Sequence, residues 1–368
     1  MINPTLAEMA TYPFVRLEEA RQELLARGVE VIDFGKGDPN EPTDPIIRRA
    51  LVDALPERAP YPLAAGLPEL REAAAGWCLR RFGVAVDPES EIVPTYGAKE
   101  AIFSLAQVLD ANGRSVVYGE PAYPVYERGA LFAGAHVHTL PLVRERDFLP
   151  DLDRIPAETA IVWVNYPHNP TGAVAPISFY EELAQRAEEQ DFIIASDEAY
   201  TELWFAEPPP SALQIADRSR VIVFQTLSKR SSMTGYRSGF VAASPEVIAA
   251  LKAYRPTVGT APQEFVQRAS VVAWNDERHV EETRARYRAK RDVLLPVLER
   301  KGWEVVASEA TMYLWVIAPD GTVERLLERG VIASPGEFFG PSGAGYVRFA
   351  LVPTLAECER AAAILEEL

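Results

Sequence analysis

A lysine, an aspartate, a tyrosine, an asparagine and an arginine each stand just beyond a short apolar run of this chain. The run 221–225 leads into Thr226-Leu227-Ser228-Lys229 and on to Met233-Thr234-Gly235-Tyr236-Arg237-Ser238-Gly239. The run 192–196 delivers Asp197-Glu198-Ala199-Tyr200, and 160–164 delivers Asn165-Tyr166-Pro167-His168-Asn169-Pro170-Thr171-Gly172. A lysine amine can bond covalently to a carbonyl carbon and, once free, carry a proton. A guanidinium grips an anion through two parallel hydrogen bonds. In isolation each residue has a plainer reading: Lys229 as a solvated surface lysine, Asp197 as a helix N-cap, Asn169-Pro170 and Thr171-Gly172 as turn dipeptides. Lys229 departs from the plain reading because it follows an apolar strand and precedes a Gly/Ser/Thr-rich loop.

The elements that must position these groups can be read along the chain. Runs at 115–118, 160–165, 192–196, 221–225 and 239–243 are mostly unbroken rather than alternating, as strands covered on both faces should be. Between them lie helical stretches. Residues 68–82 open on Pro68 and close at Gly83, 98–109 repeat Ile102, Leu105, Ala106 and Leu109 on one face, and 177–189 form a third. The alternation predicts an α/β fold, with a large three-layer α/β/α domain around a mostly parallel sheet over 45–258. In such a sheet ligands collect at the carboxyl ends of the strands, where all five groups stand. Beyond about 258 come a long Arg- and Glu-rich helix over 278–301, strands at 303–307, 312–317 and 346–351, and a closing helix from Leu355. Residues 259–368, with 1–44 folded onto them, are expected to form a smaller α+β domain.

Composition narrows the function. The chain has 368 residues, 37 Lys+Arg against 53 Asp+Glu, and a net charge of −16, which repels nucleic-acid phosphates and anionic membranes. No apolar run approaches the ~18 residues needed to span a bilayer. The opening MINPTLAEMA has neither a basic n-region nor an apolar h-region, so a cytoplasmic protein is expected. The two cysteines, Cys78 and Cys358, form no CxxC, and Cys78 reads as core. His136 and His138 alternate on a strand with no third ligand nearby, so no metal site is expected.

Taken together these motifs resemble the class I/II pyridoxal-phosphate-dependent aminotransferases of fold type I. The resemblance runs, in order, through Gly37-Asp38-Pro39, Tyr61 with Gly66, Leu70-Arg71-Glu72, Gly97-Ala98-Lys99-Glu100, Tyr123, the stretch NYPHNPTG at 165–172, Asp197 with Tyr200, Ser228-Lys229, Arg237 and Arg348. It implies that Lys229 holds the cofactor aldehyde covalently and then shuttles the proton of the reaction. It implies that Asp197 pairs with the protonated pyridine nitrogen. Asn169 and Tyr200 would bond the cofactor 3′-oxygen, and Tyr123, which alone would read as an ordinary half-buried aromatic, would stack on the ring. The phosphate would meet the helix start at Ala98 and Lys99, the hydroxyls of Thr226 and Ser228, and Arg237. The family usually has serine where Thr226 stands, and the threonine keeps the hydroxyl. Tyr61 resembles the tyrosine that reaches the phosphate from a neighbouring subunit, which implies a homodimer with shared active sites.

Arg348 sits on an otherwise apolar strand, where a buried guanidinium needs a carboxylate from the protein or from a ligand. The resemblance makes that the substrate α-carboxylate, with the Gly37 backbone helping. Tyr12, Phe14, Arg16 and Lys36 fall where the family borders the substrate side chain. The stretch FGKGDPNEPTDP resembles the succinyldiaminopimelate transaminases of lysine biosynthesis, which implies N-succinyl-LL-diaminopimelate with glutamate and 2-oxoglutarate as substrates. A ping-pong amino-group transfer is therefore expected. Broad-specificity aspartate, aromatic or alanine aminotransferases share these motifs, as do pyridoxal-phosphate C–S β-lyases. A non-enzymatic module of the same fold would not need Lys229, Asp197, Asn169, Tyr200, Arg237 and Arg348 together.

Overall fold

The computed structural model describes residues 2–8 and 14–368. In chain order its strands are β1 (Ile32–Asp33), β2 (Ile92–Thr95), β3 (Ser115–Glu120), β4 (His136–Pro141), β5 (Thr159–Asn165), β6 (Ile193–Asp197) and β7 (Val221–Thr226). They continue with β8 (Gly239–Ala242), β9 (Glu304–Val306), β10 (Tyr313–Ile317), β11 (Val331–Ile332), β12 (Ser334–Pro335) and β13 (Tyr346–Ala350). The central sheet has seven strands in the order β2-β8-β7-β6-β5-β3-β4. Only β8 runs against its neighbours.

The unbroken apolar strands work as expected for a sheet buried on both sides. Successive residues of β5 and β7 point to opposite faces. Val162, Val164 and Val223 enter one core with Trp77, Phe179 and Trp274. Ile161, Trp163, Ile222 and Phe224 enter the other with Ile102, Leu105 and Tyr126. Cys78 is fully buried in the first of these. Helix Glu264–Asn275, beyond the boundary expected at 258, packs Ala269, Ala273 and Trp274 into that same core.

A four-stranded antiparallel sheet, β12-β13-β10-β9, and the parallel pair β1-β11 form the rest. Leu314, Val316 and Phe349 pack there against Leu294 and Leu298 of helix Arg278–Arg300 and Leu365 of helix Leu355–Glu367. The N-terminal strand joins this group: Ile32 pairs with Val331, and Ala350 N–H donates to Phe34 O at 2.8 Å. Among the described residues no helix is long and apolar enough to cross a membrane.

Register decides where the chemistry falls. Parallel pairing sets Asn165 beside Asp197, and Asp197 beside Phe224. Because β8 is antiparallel to both β7 and β2, Gly239 lies beside Thr226 and also beside Thr95. Both ends of the 227–238 connection and the start of helix Gly97–Val108 therefore share one edge of the sheet.

Candidate active site

That edge opens into a cavity of about 470 Å³ between the central sheet and the antiparallel sheet. From the central sheet it is lined by Ala98, Lys99, Tyr123, Asn169, Asp197, Tyr200, Thr226, Ser228, Lys229 and Arg237. From the other side come Gly37 and Arg348. Tyr61 is elsewhere: it is 100% exposed, and Leu55 and Leu63 of the same stretch of chain are exposed too. Lys36 lines the cavity, Arg16 is exposed, and Tyr12 and the Phe14 side chain lie outside the described residues.

Thr226 caps the short helix Leu227–Arg230, its hydroxyl accepting from Ser228 N–H at 3.2 Å and donating to Ser228 Oγ at 3.0 Å. Lys229 follows, its ammonium donating to Gly37 O. Burial pushes the Lys229 amine down to about 8, opposed by Asp38 and helped by the cations Arg348, Arg237 and Lys99. Next to it, Arg230 is clamped from behind by Ala273 O at 2.6 Å and Glu277 at 2.9 Å. His279 bridges Asp276 at 2.7 Å and Ser231 at 2.8 Å, so the turn carrying Lys229 is held from its far side.

Asp197 ends β6, buried, and accepts from Tyr126 Oη at 2.7 Å. Burial raises its carboxyl to about 6, and the Tyr126 hydrogen bond opposes the rise. Tyr126 itself stacks on Trp163 at 4.9 Å between ring centroids. Asn165 Nδ2 donates to Asp197 O at 2.7 Å while its Oδ1 accepts from Asn169 N–H at 3.0 Å, which fixes the 165–172 loop against β6. Beneath Asp197, buried Glu198 accepts from Ser196, Ala212 N–H and Gln225, and burial raises it to about 7.

An anion-binding pole lies at the start of helix Gly97–Val108, where backbone N–H groups are free of intrahelical partners. Arg237 packs against this turn so closely that a Cβ on Gly97, whose φ is +67°, would lie 2.5 Å from its guanidinium. Only glycine suits both constraints. Arg237 donates to Thr234 O at 2.9 Å and Tyr96 O at 3.2 Å. Burial and the neighbouring Arg237 and Arg128 lower the Lys99 amine.

Arg348, 2% exposed, lies between the rings of Tyr313 and Phe339, 4.3 and 4.5 Å from their centroids. It donates to Asn169 Oδ1 at 3.0 Å and Gly35 O at 2.8 Å. With its Oδ1 so engaged, Asn169 offers its Nδ2–H₂ as donor. Tyr313 Oη meets Tyr200 Oη at 2.9 Å and crowds Gly37, where a Cβ would lie 2.2 Å from it. Tyr126, Asn165, Glu198, Tyr313 and Phe339 thus shape the site beyond the residues singled out from sequence. Tyr126 stands three residues after Tyr123 at helical spacing, and Asn165 opens the NPTG stretch. Tyr313 and Phe339 come from distant segments and had no local signal.

The cavity therefore offers a buried carboxylate at one side, a reactive amine near its centre, an anion pole and a second guanidinium. Those donors suit an elongated aromatic aldehyde phosphate with a protonatable ring nitrogen, alongside a carboxylate-bearing substrate.

Comparisons with known proteins agree. The family model described as Aminotransferase class I and II matches residues 29–365. The chain is 41% identical to an LL-diaminopimelate aminotransferase of Aquifex aeolicus over 365 residues, covering 95% of this chain and 94% of that protein. Among solved structures, an aminotransferase from Neisseria meningitidis superposes with a TM-score of 0.90 at 35% identity, covering 100% of this chain and 99% of that one. A probable N-succinyldiaminopimelate aminotransferase from Thermus thermophilus gives a TM-score of 0.89 at 32% identity, with 96% and 99% covered.

Proposed function

This chain belongs to the class I and II aminotransferases, pyridoxal 5′-phosphate-dependent enzymes that move an amino group between an amino acid and a 2-oxo acid, and from that premise we propose that its amino acid is LL-diaminopimelate, with glutamate and 2-oxoglutarate as the exchange couple. The observation that carries the substrate is the 41% identity, over 95% of the chain, to a protein of that name. A second reading, N-succinyl-LL-diaminopimelate, is favoured by the FGKGDPNEPTDP stretch and by the Thermus thermophilus neighbour.

In this reading Lys229 holds the cofactor covalently, Asp197 holds its ring nitrogen, and Asn169 and Tyr200 bond its 3′-oxygen. Tyr123 stacks on the ring. The phosphate is held by Arg237, Lys99, the Thr226 and Ser228 hydroxyls and the backbone at Ala98. When bound, pyridoxal phosphate supplies an electron-withdrawing ring that stabilises negative charge at the substrate Cα. Arg348 then grips the α-carboxylate bidentately, and the Gly37 backbone helps to orient it. With the cofactor bound, Lys229 Nζ would be the base placed to take the proton from the substrate Cα and, as its conjugate acid, to give it back. A lysine pushed down to about 8 holds a usable fraction of neutral amine near neutral pH. Exposed Tyr61, with Leu55 and Leu63, supports a homodimer in which this segment completes the partner's phosphate site.

The test is the absorbance of the holoenzyme under single-donor conditions. LL-diaminopimelate should bleach the visible band, and 2-oxoglutarate should restore it. Bleaching by N-succinyl-LL-diaminopimelate alone would replace the substrate, and bleaching by neither would overturn both readings.

A further inference from the structure

Among the described residues that line the cavity, Lys36 is the cation that the reaction above does not use. Its flanking carbonyls are both taken: Gly35 O accepts from Arg348 at 2.8 Å, and Gly37 O accepts from Lys229. Neither flanking residue has room for a side chain. A Cβ on Gly35 would lie 2.8 Å from Leu17 Cδ1, and one on Gly37 would lie 2.2 Å from Tyr313 Oη. The backbone of Lys36 is thus held between the group that grips the α-carboxylate and the reactive amine, and Lys36 itself lines the cavity.

Its ammonium pairs with Glu18 of helix Phe14–Ala26, a residue outside the cavity lining, and each side chain of the pair is 38% exposed. A half-solvated pair of this kind contributes little to the fold and is readily exchanged. Glu18 would not be stranded by such an exchange, because Gln22 donates to it at 2.7 Å and Arg21 stands 3.5 Å away. The hydrogen bonds from Lys36 and Gln22 hold the Glu18 carboxyl down at about 2, so it is anionic throughout the working range. Asp38, the neighbouring acid at the cavity, acts on Lys229 instead.

Diaminopimelate carries a second α-amino acid group at its far end, with an ammonium and a carboxylate on one carbon. The Lys36 ammonium beside the cavity and the Glu18 carboxylate paired with it are its complement. We propose that Lys36 and Glu18 together read this distal end, Lys36 taking the carboxylate and Glu18 the ammonium. Substrates with a distal carboxylate alone, such as glutamate and 2-oxoglutarate, use Lys36 only. An N-acylated distal amine carries no charge and offers Glu18 only an amide N–H in place of a cation. The Glu18 half rests on the diaminopimelate reading, whereas the Lys36 half needs only a substrate with a second acid.

The experiment compares wild-type holoenzyme with Lys36→Met and Glu18→Gln. Calorimetric binding of two unreactive acids, glutarate and pentanoate, isolates the distal carboxylate. Steady-state kinetics with LL-diaminopimelate and its N-succinyl form isolate the distal ammonium. Lys36→Met should weaken glutarate about tenfold or more, leave pentanoate within about twofold, and raise KM rather than lower kcat. Glu18→Gln should leave glutarate equal or tighter and lower kcat/KM about fivefold or more for LL-diaminopimelate only. Glutarate binding unchanged in Lys36→Met overturns the Lys36 assignment, whatever the natural substrate. Equal losses for both diaminopimelates in Glu18→Gln overturn the Glu18 assignment. If wild type turns over neither diaminopimelate, the substrate reading and the Glu18 half fall together, while glutarate still decides Lys36.

Discussion

The two walls of the cavity are built differently. On the central-sheet wall, Asp197, Thr226, Ser228 and Lys229 sit at or just past the ends of buried strands, locked by strand register and by Tyr126, Arg230 and His279 behind them. On the facing wall, Gly37 and Arg348 come from segments 311 residues apart (348 − 37), and Lys36 ends in a half-exposed ion pair. The first wall is rigid and suits a cofactor that stays in place. The second is assembled from the antiparallel sheet and the N-terminal segment, and suits a substrate that enters and leaves.

That contrast can be broken or sharpened by three measurements, which differ in the size of effect expected. Lys229→Ala, on the rigid wall, should cut turnover ~10⁴-fold or more while the cofactor still binds non-covalently. Undiminished turnover, measured by amino-acid formation, would remove Lys229 from the reaction. Arg348→Ala, on the substrate wall, should lower kcat/KM by roughly 10²–10³-fold, since a buried charge pair is worth ~2–5 kcal/mol when one partner is truncated. It should leave the visible spectrum of the holoenzyme close to wild type. A spectrum lost along with activity would mean that Arg348 holds the first wall too.

The smallest effect concerns Asp197 without cofactor. Its folded carboxyl is raised by burial to about 6 from an ordinary 3.8. A raised acid contributes stability that is fully present below its unfolded value and is lost as pH rises through the folded one. The apoenzyme should therefore lose stability from this group as pH rises from about 4 to about 6. Comparing apo Tm against pH for wild type and Asp197→Asn isolates it, because the variant has no such titration. Parallel curves would show that Asp197 is solvated in the apoenzyme and that the first wall is looser than its packing implies.

Much of the first wall is legible in the chain alone, because the residues of each motif are contiguous. An apolar strand followed by Thr-x-Ser-Lys or Asp-x-x-Tyr places its polar groups at a strand end by local geometry alone. Helix 68–82 announced itself through Pro68 and Gly83 for the same reason. Helix Glu264–Asn275 was less legible: its burial against Trp77 and Phe240 depends on which surface it meets, and periodicity does not carry that information. The antiparallel turn of β8 was hidden too, since an apolar run reads alike in either direction.

By itself, then, the sequence determined the α/β alternation, the strand-end motifs and the family, all of which rest on neighbours along the chain. Only the tertiary structure decided that Tyr126 bonds Asp197, that Tyr313 meets Tyr200, that Arg348 reaches Asn169 and that Lys36 faces Glu18. Three of these pairs join residues 71 to 179 positions apart. Lys36 and Glu18 are close in sequence, yet they meet only because a strand and a helix fold back on each other. Such contacts depend on how two cores pack, and no local periodicity encodes that.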